Sequence, residues 1–243
     1  MKKNTRKKRK FAALFVFGLV VFAAVAVLIS PLFAIRQIEI VGNSAICAKD
    51  ILCRAQLETG QNMLAFNASA VRAQISLLPY VQDVTVVREF PDRVVISIAE
   101  RIPIANVRVA HSATYLLIDD AGMVLESASV PTPYLPVAIG IYFTNFAVGE
   151  YLDVEDDLVF RDMLRLSRLF ARYNFFPDVV DMSDPADITF QAGNINILFG
   201  SMSDMDRKIQ YISAIKQQHF TPETRGFLNI RNINERPVFG LIR

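Results

Sequence analysis

An uninterrupted apolar run near the amino terminus constrains this 243-residue chain more than any other feature. The run covers the nineteen residues from Phe11 to Ile29 and contains no charged side chain. A helix rises by about 1.5 Å per residue, so a run of this length matches the roughly 30 Å hydrocarbon core of a bilayer. The sequence therefore predicts one transmembrane helix, to which we assign residues 11–34.

The basic residues before this run predict its orientation. Residues 1–10 carry seven of the 26 lysine and arginine residues and no acid. Because basic flanks stay in the cytoplasm, we expect 1–10 to be a cytoplasmic tail and the bulk of the chain to be extracytoplasmic. A cleaved signal peptide is the alternative, but its apolar region is usually about 7–15 residues long. Leu32 also stands where a small residue would precede cleavage after Ala34.

The charge distribution argues against a nucleic-acid partner. Outside residues 1–10 the chain has 19 bases and 24 acids, so the basicity belongs to the tail and not to a folded face. Apolar residues make up 52% and charged residues 21%, which predicts a packed globular part and not a disordered one.

The pattern directly after the apolar run predicts the element order β-α-α-β-β. Its predicted strands are 35–41, 84–89 and 94–100, and its helices begin at Ser44 and at Asn67 or Ser69. Gly42-Asn43 and Phe90-Pro91-Asp92 are turn signals, and Pro79 ends the second helix. Two helices of this size can cover one face of a three-stranded sheet.

From about residue 104 the pattern changes to short strands interrupted by two helices, which predicts a second, β-rich domain. The first helix carries an apolar stripe, and the second begins near Ser203. The stripe consists of Val159, Met163, Leu166, Phe170 and Tyr173. The predicted strands are 107–109, 115–118, 123–125, 137–139, 188–190, 195–199, 227–231 and 238–242. The predicted fold class is therefore α+β.

Residues that could carry catalysis or bind a metal do not form a recognisable site. His111 and His219 lie in different segments, and the acids of 153–157 suit the amino terminus of a helix. Cys47 and Cys53, about 120° apart on a helix, are interpreted as small half-buried residues. Phosphate-binding and hydrolase motifs do not occur. We therefore expect no enzyme activity, metal or cofactor, and a function in binding through a sheet edge.

Short motifs with a characteristic order and spacing lie behind the apolar run. They are Val41-Gly42-Asn43, Gly60-Gln-Asn62, Leu78-Pro79-Tyr-Val81, Arg88-Glu-Phe90-Pro91-Asp92, Glu100-Arg101-Ile-Pro103-Ile-Ala105, Leu117-Ile118-Asp119, Leu135-Pro136 and Phe227-Leu-Asn-Ile-Arg231. Together they resemble the bacterial cell-division family FtsQ/DivIB over nearly the whole chain. Departures from the family pattern are the short tail, the absence of Trp, and Asn229 where an Asp is usual.

The resemblance implies a POTRA domain at 35–104 and a β domain at 105–243 that ends in a partner-binding edge strand. The residues that it marks as the POTRA structural motif are Gly42, Asn43, Gly60, Pro79, Pro91, Glu100, Arg101 and Pro103. It implies a non-enzymatic division scaffold in the plasma (inner) membrane at the septum. Its partners would be FtsB/DivIC-like and FtsL-like membrane proteins, and through them it would affect septal peptidoglycan synthesis.

The free edge of the terminal strand places the predicted partner contact at the end of the chain. The residues assigned to it are Phe227, Arg231, Val238, Phe239 and Leu241, and for each of them a role in the core is an equal alternative. Two other functions stay open. One is a POTRA-bearing component of a protein translocation system, which usually carries tandem POTRA repeats. The other is an anchored cell-wall enzyme.

Overall fold

The computed structural model describes residues 15–22, 30–220, 223–235 and 237–241. The chain divides into two compact units between Glu100 and Arg101, whereas the sequence predicts a break near residue 104. Each unit has its own buried core.

Most of the predicted transmembrane range 11–34 lies outside the described residues. Residues 15–22 are helical, and no helix in the described ranges has the length and apolar character needed to cross a bilayer. The predicted end of the helix at residue 34 is wrong. Pro31–Phe33 forms a 3-10 turn capped by the Ser30 side chain. The proline lacks the N–H group that an α-helical hydrogen bond would need at that position.

The first unit has the predicted order β-α-α-β-β. Its elements are β1 (Gln37–Val41), α1 (Ala48–Ala55), α2 (Ala68–Ile75), β2 (Val81–Glu89) and β3 (Arg93–Glu100). The sheet order is β1-β3-β2, with β1 parallel and β2 antiparallel to β3. Ile51 of α1 and Ile75 of α2 are buried with Val84, Val94 and Ile96, so both helices pack on one face of the sheet.

The start of α1 differs from the prediction because the carboxylate of Glu100 holds the preceding loop. Glu100 accepts hydrogen bonds from the backbone N–H groups of Ser44, Ala45 and Ile46, at 2.8–3.1 Å. Ser44 therefore does not cap α1, which begins at Ala48 after Cys47. The contact joins residues more than 50 positions apart, which a local cap signal does not reveal.

Several motif residues shape the turns of the first unit. Gly42 and Gly60 have positive φ angles of 87° and 92°, and a Cβ at Gly42 would meet the carbonyl oxygen of Ile98. The Asn43 side chain donates to the carbonyl of Ile46 at 3.1 Å. Pro79 lies in the turn before β2, and Pro91 lies at the tip of the β2–β3 hairpin.

The two cysteines differ from the expectation that they are half-buried. Both Cys47 and Cys53 are exposed, and neither forms a disulfide. The core-facing positions of α1 are occupied by Ile51 and Ala55, which leaves Cys53 on the solvent side of the helix.

Substitution Glu100→Gln is expected to lower the stability of the first unit at neutral pH by about 1–2 kcal/mol, because hydrogen bonds to a charged group are stronger than those to a neutral one. Burial alone would raise the pKa of Glu100, but the three N–H groups outweigh it and hold this pKa below its ordinary value of 4.5. A lowered pKa means that the stabilisation is present above pH 4.5 and is lost as the pH falls through the folded-state value.

Thermal unfolding followed between about pH 3 and pH 7 measures this effect. The Gln variant should show a flatter acid dependence than the wild type. Glu58→Gln, at an exposed position of the same unit, is the control. Equal pH profiles for the Glu100 variant and the wild type would contradict the assigned role.

The described residues of the second unit form one nine-stranded sheet with two helices. Its elements are β4 (Pro103–Arg108), β5 (Tyr115–Asp119), β6 (Val124–Ala128), β7 (Val137–Ile139), α3 (Asp157–Arg172), β8 (Val179–Asp181), β9 (Ile188–Ala192), β10 (Ile195–Gly200), α4 (Met205–His219), β11 (Gly226–Asn229) and β12 (Val238–Leu241). The strand order is β12-β11-β10-β9-β8-β7-β4-β5-β6. The eight predicted strands all occur, whereas β8 was not predicted; it pairs with β7, which lies 42 positions earlier in the chain.

The apolar stripe of α3 packs into the core of this unit. Met163, Leu166 and Phe170 are buried, and Phe170 lies edge-on against both Phe175 and Phe190. The Asp156 side chain caps the helix by accepting from the backbone N–H groups of Leu158 and Val159. Asp156 and Asp157 of the predicted acidic group thus lie at the helix terminus, as the cap and in the first turn.

Arg101 and Pro103, predicted to close the first domain, begin the second unit. Pro103 starts β4 and pairs with Asp119 of β5. The Arg101 guanidinium donates to Asp119 Oδ2 at 2.7 Å, and the Asp119 side chain is only 2% exposed. The two motifs Glu100-Arg101 and Leu117-Ile118-Asp119 thus meet in a buried ion pair, which no local pattern indicates.

Candidate partner-binding edge

Four of the five predicted partner-binding residues lie in the last two strands of the nine-stranded sheet, namely Phe227, Val238, Phe239 and Leu241. β12 is the last strand in the order and pairs with β11 alone among the described strands. In an antiparallel pair the backbone groups of alternate residues point away from the partner strand. The outer side of β12 therefore presents backbone N–H and C=O groups that an added strand could pair with.

The connection through α4 determines that β12 is the outermost strand at this end of the sheet. Helix α4 connects β10 to β11, which run parallel, and a turn then returns the chain antiparallel as β12. Leu228 of β11 is fully buried in the same core as Ile209 and Ile212 of α4. The core thus fixes β11, and β12 depends on β11 for its position.

The edge exposes apolar side chains on its open face and at its end. Val238 lies opposite Asn229, and Gly240 lies opposite Phe227, so these four residues share the face of the sheet away from the core. Val238 is 53% exposed, and Leu241, which ends β12 on the other face, is 64% exposed. A Cβ at Gly240 would lie 2.5 Å from the Phe227 ring, so glycine lets that ring lie over β12.

Phe239 has an internal partner on the core face. Its ring stacks on Phe220, the residue after α4, with 6.3 Å between the ring centres and an angle of 15° between the planes. This contact ties β12 to the end of α4 and positions the edge. Of the five predicted residues, Phe239 thus combines a packing contact with a place in the edge strand.

Arg231 is held by an acid of its own chain. Its guanidinium forms a two-pronged contact with Asp187, through Nε at 2.6 Å and a second nitrogen at 2.7 Å. Hydrogen bonding to Asp187 raises the pKa of Arg231, and the same bond lowers the pKa of Asp187. The structure therefore gives Arg231 an internal partner just beyond β11, and Phe227, Val238 and Leu241 remain as the exposed apolar members of the set.

Sequence reasoning missed a groove beside the edge. It has a volume of about 430 Å³ and is lined by residues of α4 and of the segment before β12, namely Arg207, Gln210, Tyr211, Ala214, Ile233 and Pro237. The spacing of Arg207, Gln210, Tyr211 and Ala214 places them on one face of α4. This spacing is the feature of the sequence from which the helical side of the groove could have been predicted.

A buried lysine at the same end of the unit was also missed. Lys208 is 1% exposed, and its ammonium donates to the carbonyls of Phe199 at 3.0 Å and Ser201 at 2.8 Å. Burial lowers the pKa of Lys208. Its position four residues before Ile212 places it on the core face of α4. The helical spacing in the sequence could therefore have predicted that Lys208 is buried. The lysine holds the bend after β10 and so supports the strand next to β11.

The opposite edge of the sheet is partly covered. The backbone of Val124 in β6 donates to Glu150 at 2.9 Å and accepts from Gly149 at 2.8 Å, so residues 149–150 pair with the start of this strand. The described part of the chain places no comparable segment on the outer side of β12. Within this unit, β12 is the more accessible edge for an incoming strand.

The described residues contain no group of three or more His, Cys, Asp or Glu residues that could hold a metal ion. The buried charged side chains there, Asp119 and Lys208, have structural partners in Arg101 and in two backbone carbonyls.

Comparison with known proteins identifies the first unit and relates the whole chain to one group. Residues 33–101 match the POTRA domain of the FtsQ type. The cell division protein DivIB of Clostridium botulinum (strain Hall) is 24% identical, with 98% of this chain and 93% of the relative covered. DivIB of Clostridium tetani is also 24% identical, over 82% of this chain and 77% of the relative.

A second set of relatives carries the FtsQ name. The cell division protein FtsQ of Novosphingobium aromaticivorans is 34% identical over 39% of this chain and 29% of its own length. The FtsQ-type domain lies where the β-α-α-β-β unit lies, and the DivIB relatives extend through the nine-stranded sheet. The first unit is therefore an FtsQ-type POTRA domain, and the chain as a whole is similar to the DivIB and FtsQ cell division proteins.

Proposed function

We propose that this protein is a scaffold of the cell-division machinery that binds FtsB/DivIC-like and FtsL-like membrane proteins through β12. Relatives that share nearly the whole chain are named cell division proteins, which supports a role in cell division. The scaffold would link early components of the septal ring to these partners and, through them, to septal peptidoglycan synthesis. The protein itself would carry out no reaction.

The outer side of β12 carries this proposal. The strand ends the nine-stranded sheet, and its neighbour β11 is fixed by the core, so the edge is both accessible and preorganised. An extended partner segment could add a tenth strand, with backbone hydrogen bonds supplying affinity and side-chain contacts supplying specificity. We assign these contacts to Phe227, Val238 and Leu241, and a supporting role to Phe239 and Arg231.

The proposed location follows from the amino-terminal sequence. The apolar run would hold the protein in the plasma (inner) membrane with residues 1–10 in the cytoplasm and both compact units outside it. Both units would then lie on the side of the membrane where septal peptidoglycan is made, at the division septum.

Substitution Leu241→Asp is expected to weaken partner binding about 30-fold or more, because a carboxylate buried in an apolar contact costs about 2 kcal/mol or more. Leu241 is 64% exposed in the protein alone, so the variant should fold normally. Pull-down of FtsB/DivIC-like and FtsL-like proteins with the full-length chain measures the loss. In cells depleted of the native protein, the wild type should restore septation, and the variant should leave the cells filamentous.

Leu158→Asp is the matched control. Leu158 is 69% exposed on α3, a helix that is not part of the β11–β12 edge. This variant should bind partners and support division like the wild type. Full activity of the Leu241 variant would argue against β12 as the docking edge. Normal septation in cells without the protein would argue against the division role as a whole.

A further inference from the structure

The end of the POTRA unit at which the chain enters carries a group of exposed and half-buried apolar side chains. We propose that this group, which we call the apolar tip and define as Leu32, Phe33, Leu64, Phe90 and Pro91, lies in the interface of the lipid bilayer. The proposal rests on the membrane anchor of the proposed function and goes beyond it, because it assigns a lipid-binding surface to the folded domain.

Three separate segments form the apolar tip. Leu32 and Phe33 belong to the 3-10 turn after the apolar run, Leu64 to the loop between α1 and α2, and Phe90 and Pro91 to the tip of the β2–β3 hairpin. The Phe33 and Phe90 rings meet edge to face with 6.2 Å between their centres. Leu32 and Phe90 are 63% and 61% exposed, which is unusual for large apolar side chains that lie together.

Backbone hydrogen bonds hold the entering segment against the other two. The N–H of Met63 donates to the carbonyl of Phe33 at 2.7 Å, and that of Ile35 to Gln61 at 2.8 Å. On the other side, the N–H of Arg36 donates to the carbonyl of Asp92 at 2.8 Å. The entering segment is therefore a fixed part of the POTRA unit.

The distance along the chain places the apolar tip close to the bilayer. The apolar run ends at Ile29, and Phe33 follows four residues later. Even a fully extended chain spans at most about 3.6 Å per residue, so these four steps cover no more than about 14 Å. The headgroup region adds roughly 5–8 Å on each side of the hydrocarbon core, and aromatic side chains favour this region.

The charges around the apolar tip do not oppose contact with lipid. Arg36 pairs with Asp92 at 3.6 Å, and Arg93 pairs with Glu39. The Arg88 guanidinium lies over the Phe66 ring and donates to a neighbouring backbone carbonyl at 2.9 Å. Asp92 and Glu39 are thus each paired with an arginine, and Glu89, next to Phe90, shares Arg93 at 3.5 Å. Arginine side chains can keep their charge in the headgroup region while their stems stay in apolar surroundings.

A single tryptophan tests this placement, because the chain contains none. The full-length Phe90→Trp protein is reconstituted in phosphatidylcholine vesicles, with and without bromine atoms in the upper part of the acyl chains. Because bromine quenches tryptophan only at contact, we expect the emission to fall about twofold in brominated vesicles, as for an aromatic side chain at the interface. Leu64→Trp should respond in the same way, so the test does not depend on correct folding of the Phe90→Trp variant alone.

Leu77→Trp is the matched control. Leu77 is 62% exposed in the turn that precedes β2, at the other end of the strand that leads to Phe90. The nine residues of β2 span about 27 Å at roughly 3.4 Å per step, so the tryptophan of this control variant should stay unquenched.

Flotation of the vesicles separates failure of this inference from failure of the anchor. Protein that floats with its vesicles but shows equal emission in both lipids, for the Phe90→Trp and Leu64→Trp variants alike, overturns the lipid contact alone. That result would leave the apolar tip as a protein-facing surface. Protein that does not float overturns both the anchor and the lipid contact. Neither result affects the binding assay on β12, which measures a different surface.

Discussion

Deletion of residues 237–243 is expected to reduce binding of the proposed FtsB/DivIC-like and FtsL-like partners at least about 1000-fold, a loss of about 4 kcal/mol. The deletion removes β12 and with it the exposed side chains of Val238 and Leu241. It also turns β11 into the last strand of the sheet. The deletion therefore separates a partner that requires β12 from one that pairs with any available edge.

The stability of the truncated protein decides how a loss of partner binding is interpreted. Removal of Phe239 ends its stacking on Phe220 and costs about 1–3 kcal/mol of apolar burial. Urea unfolding of the detergent-solubilised chain measures this cost, and the binding assay is carried out only at temperatures where the protein is folded. Equal recovery of partners by the wild type and the folded deletion would place the docking site elsewhere.

Substitution Arg101→Ala is expected to destabilise the β-rich unit by about 3 kcal/mol, because it leaves a buried carboxylate without its counter-ion. The Arg101 side chain is 14% exposed and that of Asp119 is 2% exposed. Burial opposes the charge on Arg101, yet the hydrogen bond and attraction to Asp119 raise its pKa, so the guanidinium stays charged. We expect the lower end of the usual range of about 3–5 kcal/mol because Asp119 also accepts from the N–H groups of Ala121 and Met123.

Hydrogen exchange of the amides in β4 and β5 measures this loss in the unit concerned, and a decrease of about 3 kcal/mol corresponds to exchange about 100-fold faster. Arg161→Ala is the control, since Arg161 forms an exposed ion pair with Asp157 that should contribute less than about 1 kcal/mol. The double variant Arg101→Ala with Asp119→Asn should recover part of the stability, because the amide can still accept from the turn. Additive losses in the double variant would show that the two residues do not act as a pair.

The sequence predicted most of the fold because its signals are local. The stripe of Met163, Leu166 and Phe170 predicts the buried face of α3 without knowledge of what it faces. Alternation of residue types and turn signals likewise predicted eight strands of the second unit. These patterns arise from the helical and strand periods, which act over a few residues and do not depend on the rest of the chain.

The features that the sequence predicted wrongly or did not predict depend on contacts between residues far apart in the chain. Ser44 has the chemistry of a cap, but Glu100 takes the N–H groups of the loop and α1 begins four residues later. Strand β8 takes its place in the sheet by pairing with β7, which lies 42 positions earlier in the chain. The internal partner of Arg231, which is Asp187, lies 44 positions away.

The sequence by itself determined the apolar run, the order of the elements and the motifs that resemble those of FtsQ/DivIB proteins, because each depends on neighbouring residues. Only the tertiary structure decided which strand ends the sheet, that Arg101 neutralises Asp119, and that Leu32, Leu64 and Phe90 come together at one end of the POTRA unit. The order of strands in a sheet and the pairing of buried charges depend on how the whole core packs. Packing joins residues that no periodicity connects.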